Sequence, residues 1–201
     1  MIARRQTAHI EILLLAAGPS RRMGSPKQSL PFMGTTLLRH LTREALASDA
    51  NGVTVVTGAW ADLARQELSE LPARVVHNED WEEGMASSLR RGVRGLRPET
   101  DAFLLMLCDQ PLVNRFALNR LIEAYRSGTH TIVASLYSGI TGVPALYHRS
   151  LLPHFLSLTG DQGARYFLRT TSVPVLAMPL PEAAVDLDTP EEYSSFLQSL
   201  G

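Results

Sequence analysis

The sequence predicts a doubly wound α/β domain on a mostly parallel sheet. Short, nearly continuous apolar runs recur along the chain, and stretches of helical apolar periodicity separate them. The length of 201 residues and a hydrophobic fraction of 45% suit one domain, burying roughly 70% of the surface its unfolded chain exposes.

The expected strands are Ile12–Ala16, Val53–Thr57, Arg74–His77, Phe103–Cys108, Thr131–Leu136 and Val173–Met178. Most lack polar alternation, as expected for strands covered on both faces. Leu37, Leu38, Leu41, Ala45 and Leu46 mark one helix stripe; Met85, Leu89, Val93 and Leu96 mark another; Leu118, Leu121, Ile122 and Tyr125 mark a third. No linker divides these elements, so residues 1–201 read as a single domain with a flexible tail at 1–9. The mildly basic start and the run from Ile12 to Gly18 imitate a secretory signal. Glu11 interrupts that run, which reads better as a buried first strand.

Composition excludes several function classes. A net charge of −1 gives no general affinity for nucleic acid or an anionic membrane, and no apolar run approaches a membrane span. One cysteine rules out an internal disulfide and a Cys-rich zinc module, so a cytoplasmic location is expected. The six histidines show no metal-ligand spacing. Among the 19 basic residues, Lys27 is the single Lys.

In such sheets ligands bind beyond the carboxyl ends of the strands. The first strand is followed there by Ala16-Ala17-Gly18-Pro19-Ser20-Arg21-Arg22-Met23-Gly24-Ser25-Pro26-Lys27. Glycines and small residues let the backbone approach a ligand closely, and its N–H groups can face anionic oxygens. Arg21, Arg22 and Lys27 add the fixed positive charge that a triphosphate needs. A solvated basic connection is the competing reading. Neither GxxxxGK[ST] nor GxGxxG fits, because Ser25 follows Gly24 and Ser20 replaces the second glycine.

The fourth run ends in Cys108-Asp109-Gln110-Pro111. An acidic residue at the tip of a buried strand beside a phosphate loop suits a hard cation held through oxygen; capping of the next helix is the alternative. Cys108 reads as a packing residue. Further on, Asp186 and Asp188 lie two apart on an extended segment and so share one face. Asp188 or Thr189 also suits the cap of a helix starting at Pro190. Asp161 and Arg165 have the spacing of a surface ion pair.

With these motifs in place, the chain resembles the nucleotidyltransferases of the molybdenum-cofactor cytidylyltransferase type. The loop matches LAAGxSxRMGxxK, Asp109 falls in a (G/C)D(M/Q)P signature, and Val185–Glu192 is similar to DIDTPED. Asn78–Ser88 resembles N-x-x-(W/Y)-x-x-G-(M/L)-x-x-S. The resemblance, from Ile12 to about Tyr193, implies a Rossmann-like, glycosyltransferase-A-like nucleotidyltransferase fold. It implies that Arg22 and Lys27 bind the triphosphate and that Leu15, Ala16, Ala17 and Gly18 contact the nucleotide. Gly84 and Ser88 would then help recognise the base. Asp109 and Asp188 would bind Mg2+, with Asp186 beside them, and Arg22, Lys27 and Asp109 would form the catalytic set.

The implied reaction moves CMP from CTP to a molybdopterin-type acceptor carrying molybdenum, releasing pyrophosphate, with a molybdenum hydroxylase receiving the product. Guanylyl transfer, a sugar or polyol phosphate acceptor, and a non-catalytic accessory role remain alternatives. Val143 stands where the family often has His in G-H-P.

Overall fold

A computed structural model describes residues 5–200. Its strands and helices follow one another as β1 (Ile10–Ala16), a hairpin of β2 (Pro31–Phe32) and β3 (Thr35–Thr36), α1 (Leu37–Leu46), β4 (Gly52–Thr57), α2 (Ala61–Leu68) and β5 (Arg74–His77). Next come α3 (Met85–Arg94), β6 (Ala102–Leu107), α4 (Arg115–Ser127), β7 (Ile132–Tyr137) and β8 (Ile140–His148). The chain finishes with α5 (Leu152–Leu156), α6 (Ala164–Thr170), β9 (Val175–Pro179) and α7 (Pro190–Leu200). No helix among the described residues is long and apolar enough to cross a membrane.

Seven of the nine described strands form one sheet in the order β5-β4-β1-β6-β8-β7-β9, and β2 and β3 pair separately. The first four strands in that order are parallel, whereas β8 runs antiparallel to both β6 and β7. The expected parallel sheet is therefore interrupted by a strand absent from the sequence reading. Ser138 and Gly139, both at positive φ (50° and 75°), make the two-residue turn between β7 and β8, the geometry that right-twisted hairpins favour. The last expected strand starts later, at Val175, after Pro174, whose missing N–H cannot join a ladder.

Successive residues of β1 serve opposite layers. Ile12, Leu14 and Ala16 pack into a core with Leu38 and Leu41 of α1, Ala64 of α2 and Leu118 of α4. Leu13 and Leu15 face the other core, with Leu89 of α3, Phe155 of α5 and Phe167 of α6. Helices thus cover both faces, as a doubly wound fold requires. Glu11 is fully buried within this strand and accepts bonds from Thr54 Oγ1 (2.7 Å), Thr100 Oγ1 (3.1 Å) and Arg97 N (3.2 Å). Those donors offset the desolvation of its carboxyl group, so β1 continues through Glu11.

The tail expected at 1–9 lies partly outside the described residues. Within them, Arg5–Thr7 is a 3-10 turn against α4, and Ala8 is buried, its carbonyl accepting from Arg126 Nη2 at 3.3 Å. That bond and the burial of Ala8 anchor this part of the segment.

Candidate active site

The carboxyl ends of β1, β4 and β6 lie side by side, with Leu15 in register with Val56 and Leu107. The loop after β1 is folded by its own side chains. Gln28 is buried and donates from Nε2 to the carbonyls of Ala16 (2.8 Å) and Gly18 (3.4 Å). Ser20 sits at φ 56° and accepts the Lys27 N–H on its Oγ at 3.1 Å. Trp60 Nε1 donates to Pro19 O at 3.2 Å. Together these bonds hold the stretch carrying Arg22 and Lys27 over the sheet end.

Opposite that stretch stand the carboxylates. Lys27 Nζ bonds Asp188 Oδ1 and lies 3.7 Å from Asp109 Oδ2; Arg22 Nη2 reaches Asp188 Oδ2 at 2.6 Å. Lys27 is largely buried, whereas the Arg22 side chain is 72% exposed. Asp109 does not cap the next helix. Asn114 does, accepting the N–H groups of Phe116 and Ala117 at 3.1 Å. At α7, Thr189 and Glu192 form a reciprocal capping box, with Thr189 Oγ1 accepting Glu192 N at 3.2 Å and Glu192 Oε2 accepting Thr189 N at 2.9 Å. The Asp188 side chain is thereby left to face the two cations.

Electrostatics separate the three aspartates. Burial pushes the Asp109 carboxyl up to about 6; Lys27 pulls it down, and Asp186 and Asp188 push it further up. Burial and Asp188 raise Asp186. Burial also acts on Asp188, but Lys27 and Arg22 outweigh it and hold that carboxyl below its ordinary value. Asp109 Oδ1 is buried without a hydrogen-bond partner. Among the described residues no group of three or more His, Cys, Asp or Glu side chains gathers for a metal. Two carboxylates, Asp109 with its orphaned hard oxygen and Asp188, still fit Mg2+, which commonly takes one or two carboxylates and fills its remaining positions with water and substrate phosphate. Burial drives the Cys108 thiol far above its usual range, which leaves it a packing group.

A cleft of about 290 Å3 runs beneath this cluster, lined by Leu15–Ser20, Lys27, Gly84, Ser88 and Asp109. It continues outward past Arg21, Arg22 and Asp188. Gly84 is required by close approach. At φ 117°, a Cβ there would lie 2.5 Å from Asp161 Oδ1 and 2.6 Å from Gly160 O. A smaller slot of about 140 Å3 opens on the far side of Asp109, between Gln110, Tyr137, Val143, Arg165 and Asp186. Every candidate site residue of the sequence reading therefore lines one of these connected spaces.

Some contributors escaped that reading. Gln110 is buried and donates to the carbonyls of Val143 (3.1 Å) and Ala183 (2.9 Å), tying β8 to the segment before Asp186. Its place beside Asp109 was the available signal. Trp81 and Asp161 line the cleft, although Asp161 had seemed a surface partner for Arg165. Instead α6 begins at Ala164, and the turn at Gly160 packs against Gly84.

Comparison with known proteins agrees with this arrangement. Residues 12–175 match the MobA-like NTP transferase domain. A nicotine blue oxidoreductase of Paenarthrobacter nicotinovorans is 32% identical, across 92% of this chain and 95% of its own. The molybdenum cofactor cytidylyltransferase of Escherichia coli K12 is 23% identical, across 92% of this chain and 93% of its own. Among solved structures, Rv0371c of Mycobacterium tuberculosis H37Rv in complex with manganese superposes with a TM-score of 0.81 at 28% identity, covering 96% of this chain and 100% of that one. On the extent of the domain match and the fold it shares, the chain belongs to the MobA-like NTP transferase family.

Proposed function

We propose that this protein is a Mg2+-dependent nucleotidyltransferase that moves CMP from CTP to a molybdopterin-type acceptor carrying molybdenum. The observation that carries the reading is the placement of Lys27 between Asp188 and Asp109 at the mouth of the cleft roofed by Leu15–Ser20. A metal–triphosphate complex carries both signs of charge, so it can take over each partner of this cluster: phosphate for Lys27 and Arg22, cation for the carboxylates.

An oxygen of the acceptor's terminal phosphate attacks the α-phosphorus. The bond from that phosphorus to the β-phosphate bridging oxygen breaks, and pyrophosphate leaves with the electron pair. Positioning and charge neutralisation supply most of the acceleration in such transfers. The loop backbone and Arg22 hold the triphosphate, and Lys27 neutralises the departing pyrophosphate. Asp109 and Asp188, with Asp186 beside them, would hold Mg2+, which when bound offsets phosphate charge and orients the α-phosphate. The acceptor phosphate is already ionised, so no general base is needed. The slot between Tyr137 and Arg165 suits the acceptor, since it meets the nucleotide cleft at Asp109. Gly84 and Ser88 face the base. A molybdenum hydroxylase is the expected recipient of the product.

The test is a matrix of nucleotides against acceptors with Mg2+, reading pyrophosphate. Release with CTP and molybdenum-loaded molybdopterin supports the full reading; release with GTP moves the nucleotide assignment. No pyrophosphate with any pair sinks it, and turnover of a redox dye alone would favour the chemistry in the Paenarthrobacter protein's name.

A further inference from the structure

We propose that Asn78 is a positioning residue that anchors Ser88 Oγ and keeps its hydroxyl proton available to the nucleobase in the cleft. The inference rests on the nucleotide-transfer reading above and names a specificity device within that site.

Asn78 follows β5 and is only 2% exposed, its N–H held by the carbonyl of Thr57 at 2.8 Å. Its amide is oriented from both ends. Oδ1 accepts the N–H of Asp80 at 3.2 Å, and Nδ2 donates to Ser87 Oγ at 2.8 Å and Ser88 Oγ at 3.1 Å. Reversing the amide would set an oxygen against two hydroxyls and an NH2 against an N–H, so the observed orientation is the one this surrounding selects. The two hydroxyls then differ. Ser87 donates onward to Gly84 O at 2.9 Å. Among the described residues no protein group accepts the Ser88 proton, and Ser88 lines the nucleotide cleft.

A hydroxyl has one proton. With the Asn78 N–H occupying one of the two lone pairs, Ser88 Oγ is held in place and its proton stays free to be donated into the cleft. It therefore matches a base carbonyl or ring nitrogen, which cytosine presents at O2 and N3 and guanine at O6 and N7. An acceptor in place of the Asn78 NH2 would reverse the pattern: Ser88 would donate backward and present lone pairs instead.

The experiment compares the intact protein with Asn78→Asp, Ser88→Ala and the double variant. The readout is the ratio of kcat/KM for CTP to that for ribose 5-triphosphate, which has no base. Trp fluorescence titrations supply the matching ratio of affinities. Each single variant should lower the ratio roughly tenfold, the worth of one net hydrogen bond, chiefly through KM. The double variant should do no worse than Ser88→Ala, because Asn78 acts through Ser88. Equal losses on both substrates, or losses that multiply in the double variant, would overturn the inference. Should Asn78→Asp fail to fold, Asn78→Ala makes the same comparison by removing the donor. A wild-type protein that releases no pyrophosphate but binds CTP more tightly than ribose 5-triphosphate would refute transfer while leaving the Ser88 contact to be read by affinity. Equal affinity for the two would refute the contact.

Discussion

The backbone N–H of Leu187 donates to the carbonyl of Asp109 at 2.8 Å. Leu187 is also buried in the core shared with α1 and α4, so the segment cannot swing about that bond. Asp186 and Asp188 flank Leu187, and their carboxyl groups are consequently presented beside Asp109. Motifs far apart in the sequence become one charged cluster through a main-chain bond and one buried side chain.

Gln110 supports the same junction, and its loss should be felt there. Gln110→Leu fills similar space but leaves the carbonyls of Val143 and Ala183 without their donor. Two buried acceptors left unpaired cost about 2–4 kcal/mol, or a fall in Tm of roughly 10 °C for a chain of this size. Calorimetry checks the stability. Half-saturation by Mg2+ should also shift upward, because the Asp186–Asp188 segment loses one of its ties to the strand carrying Asp109.

Lys27 and Arg22 both touch Asp188 but differ in environment. Lys27 reaches two carboxylates from a largely buried position, while Arg22 is mostly exposed. Lys27→Ala should lower kcat about 10²–10³-fold, in line with deleting one preorganised charge contact at a reacting phosphate. Arg22→Ala should cost roughly tenfold, since water screens and replaces an exposed charge. Lys27→Arg should fail to restore activity, because the planar fork is larger than the ammonium that fits between Asp109 and Asp188. Steady-state pyrophosphate release orders the three variants, and equal losses for Lys27→Ala and Arg22→Ala would contradict the distinction.

The loop and its charges were legible in the sequence because they are local: Ala16–Lys27 follows a recognisable strand, and Asp109 ends another. The two core faces were legible too, since the apolar residues of β1 reach both layers in strict alternation. Strand β8 was not. It carries Gly142 and Pro144, which weaken any local strand signal, and pairing with β6 and β7 on its two sides supplies what local propensity lacks. Gln28 and Gln110 were missed for a related reason. A glutamine becomes structural only when its partners are carbonyls placed by tertiary packing, and nothing in its own neighbourhood announces them. The capping box at Thr189 and Glu192 had a local signature, yet the consequence for Asp188 depended on where Lys27 lay.

Gly84→Ala probes the cleft wall. The backbone there is at φ 117°, and the added methyl carbon would sit 2.5 Å from Asp161 Oδ1 and 2.6 Å from Gly160 O. The Asp161 side chain can turn aside, but the Gly160 carbonyl is held by the N–H of Ala86 at 3.0 Å. Conformational strain of about 1–3 kcal/mol therefore adds to a displaced turn. The variant should melt several degrees lower and bind nucleotide more weakly, measured by calorimetry and Trp fluorescence. An unchanged KM for the nucleotide would mean that this wall does not touch it.

Asp109→Asn should separate stability from activity. The Asp109 carboxyl is raised to about 6, first by burial, with Asp186 and Asp188 adding to it against the pull of Lys27. A carboxyl whose pKa is higher folded than unfolded favours the native state while protonated. Its contribution is full below about pH 4, the ordinary carboxylate range, and is lost as pH rises through about 6. At pH 7.5 the metal-free protein therefore bears the cost of a desolvated charge, which the isosteric amide removes. About a quarter of the side chain is exposed, so solvent screening reduces the gain to roughly 1–2 kcal/mol. Asp109→Asn should thus melt a few degrees higher than wild type at pH 7.5 in chelator, with the difference vanishing near pH 4. The same variant should lose turnover by at least about 10²-fold, because an amide cannot supply the anionic oxygen that a hard cation takes. Thermal melts at the two pH values, with pyrophosphate assays at pH 7.5, decide the matter; a variant less stable than wild type at pH 7.5 would show that Asp109 is paid for by contacts other than those to Lys27.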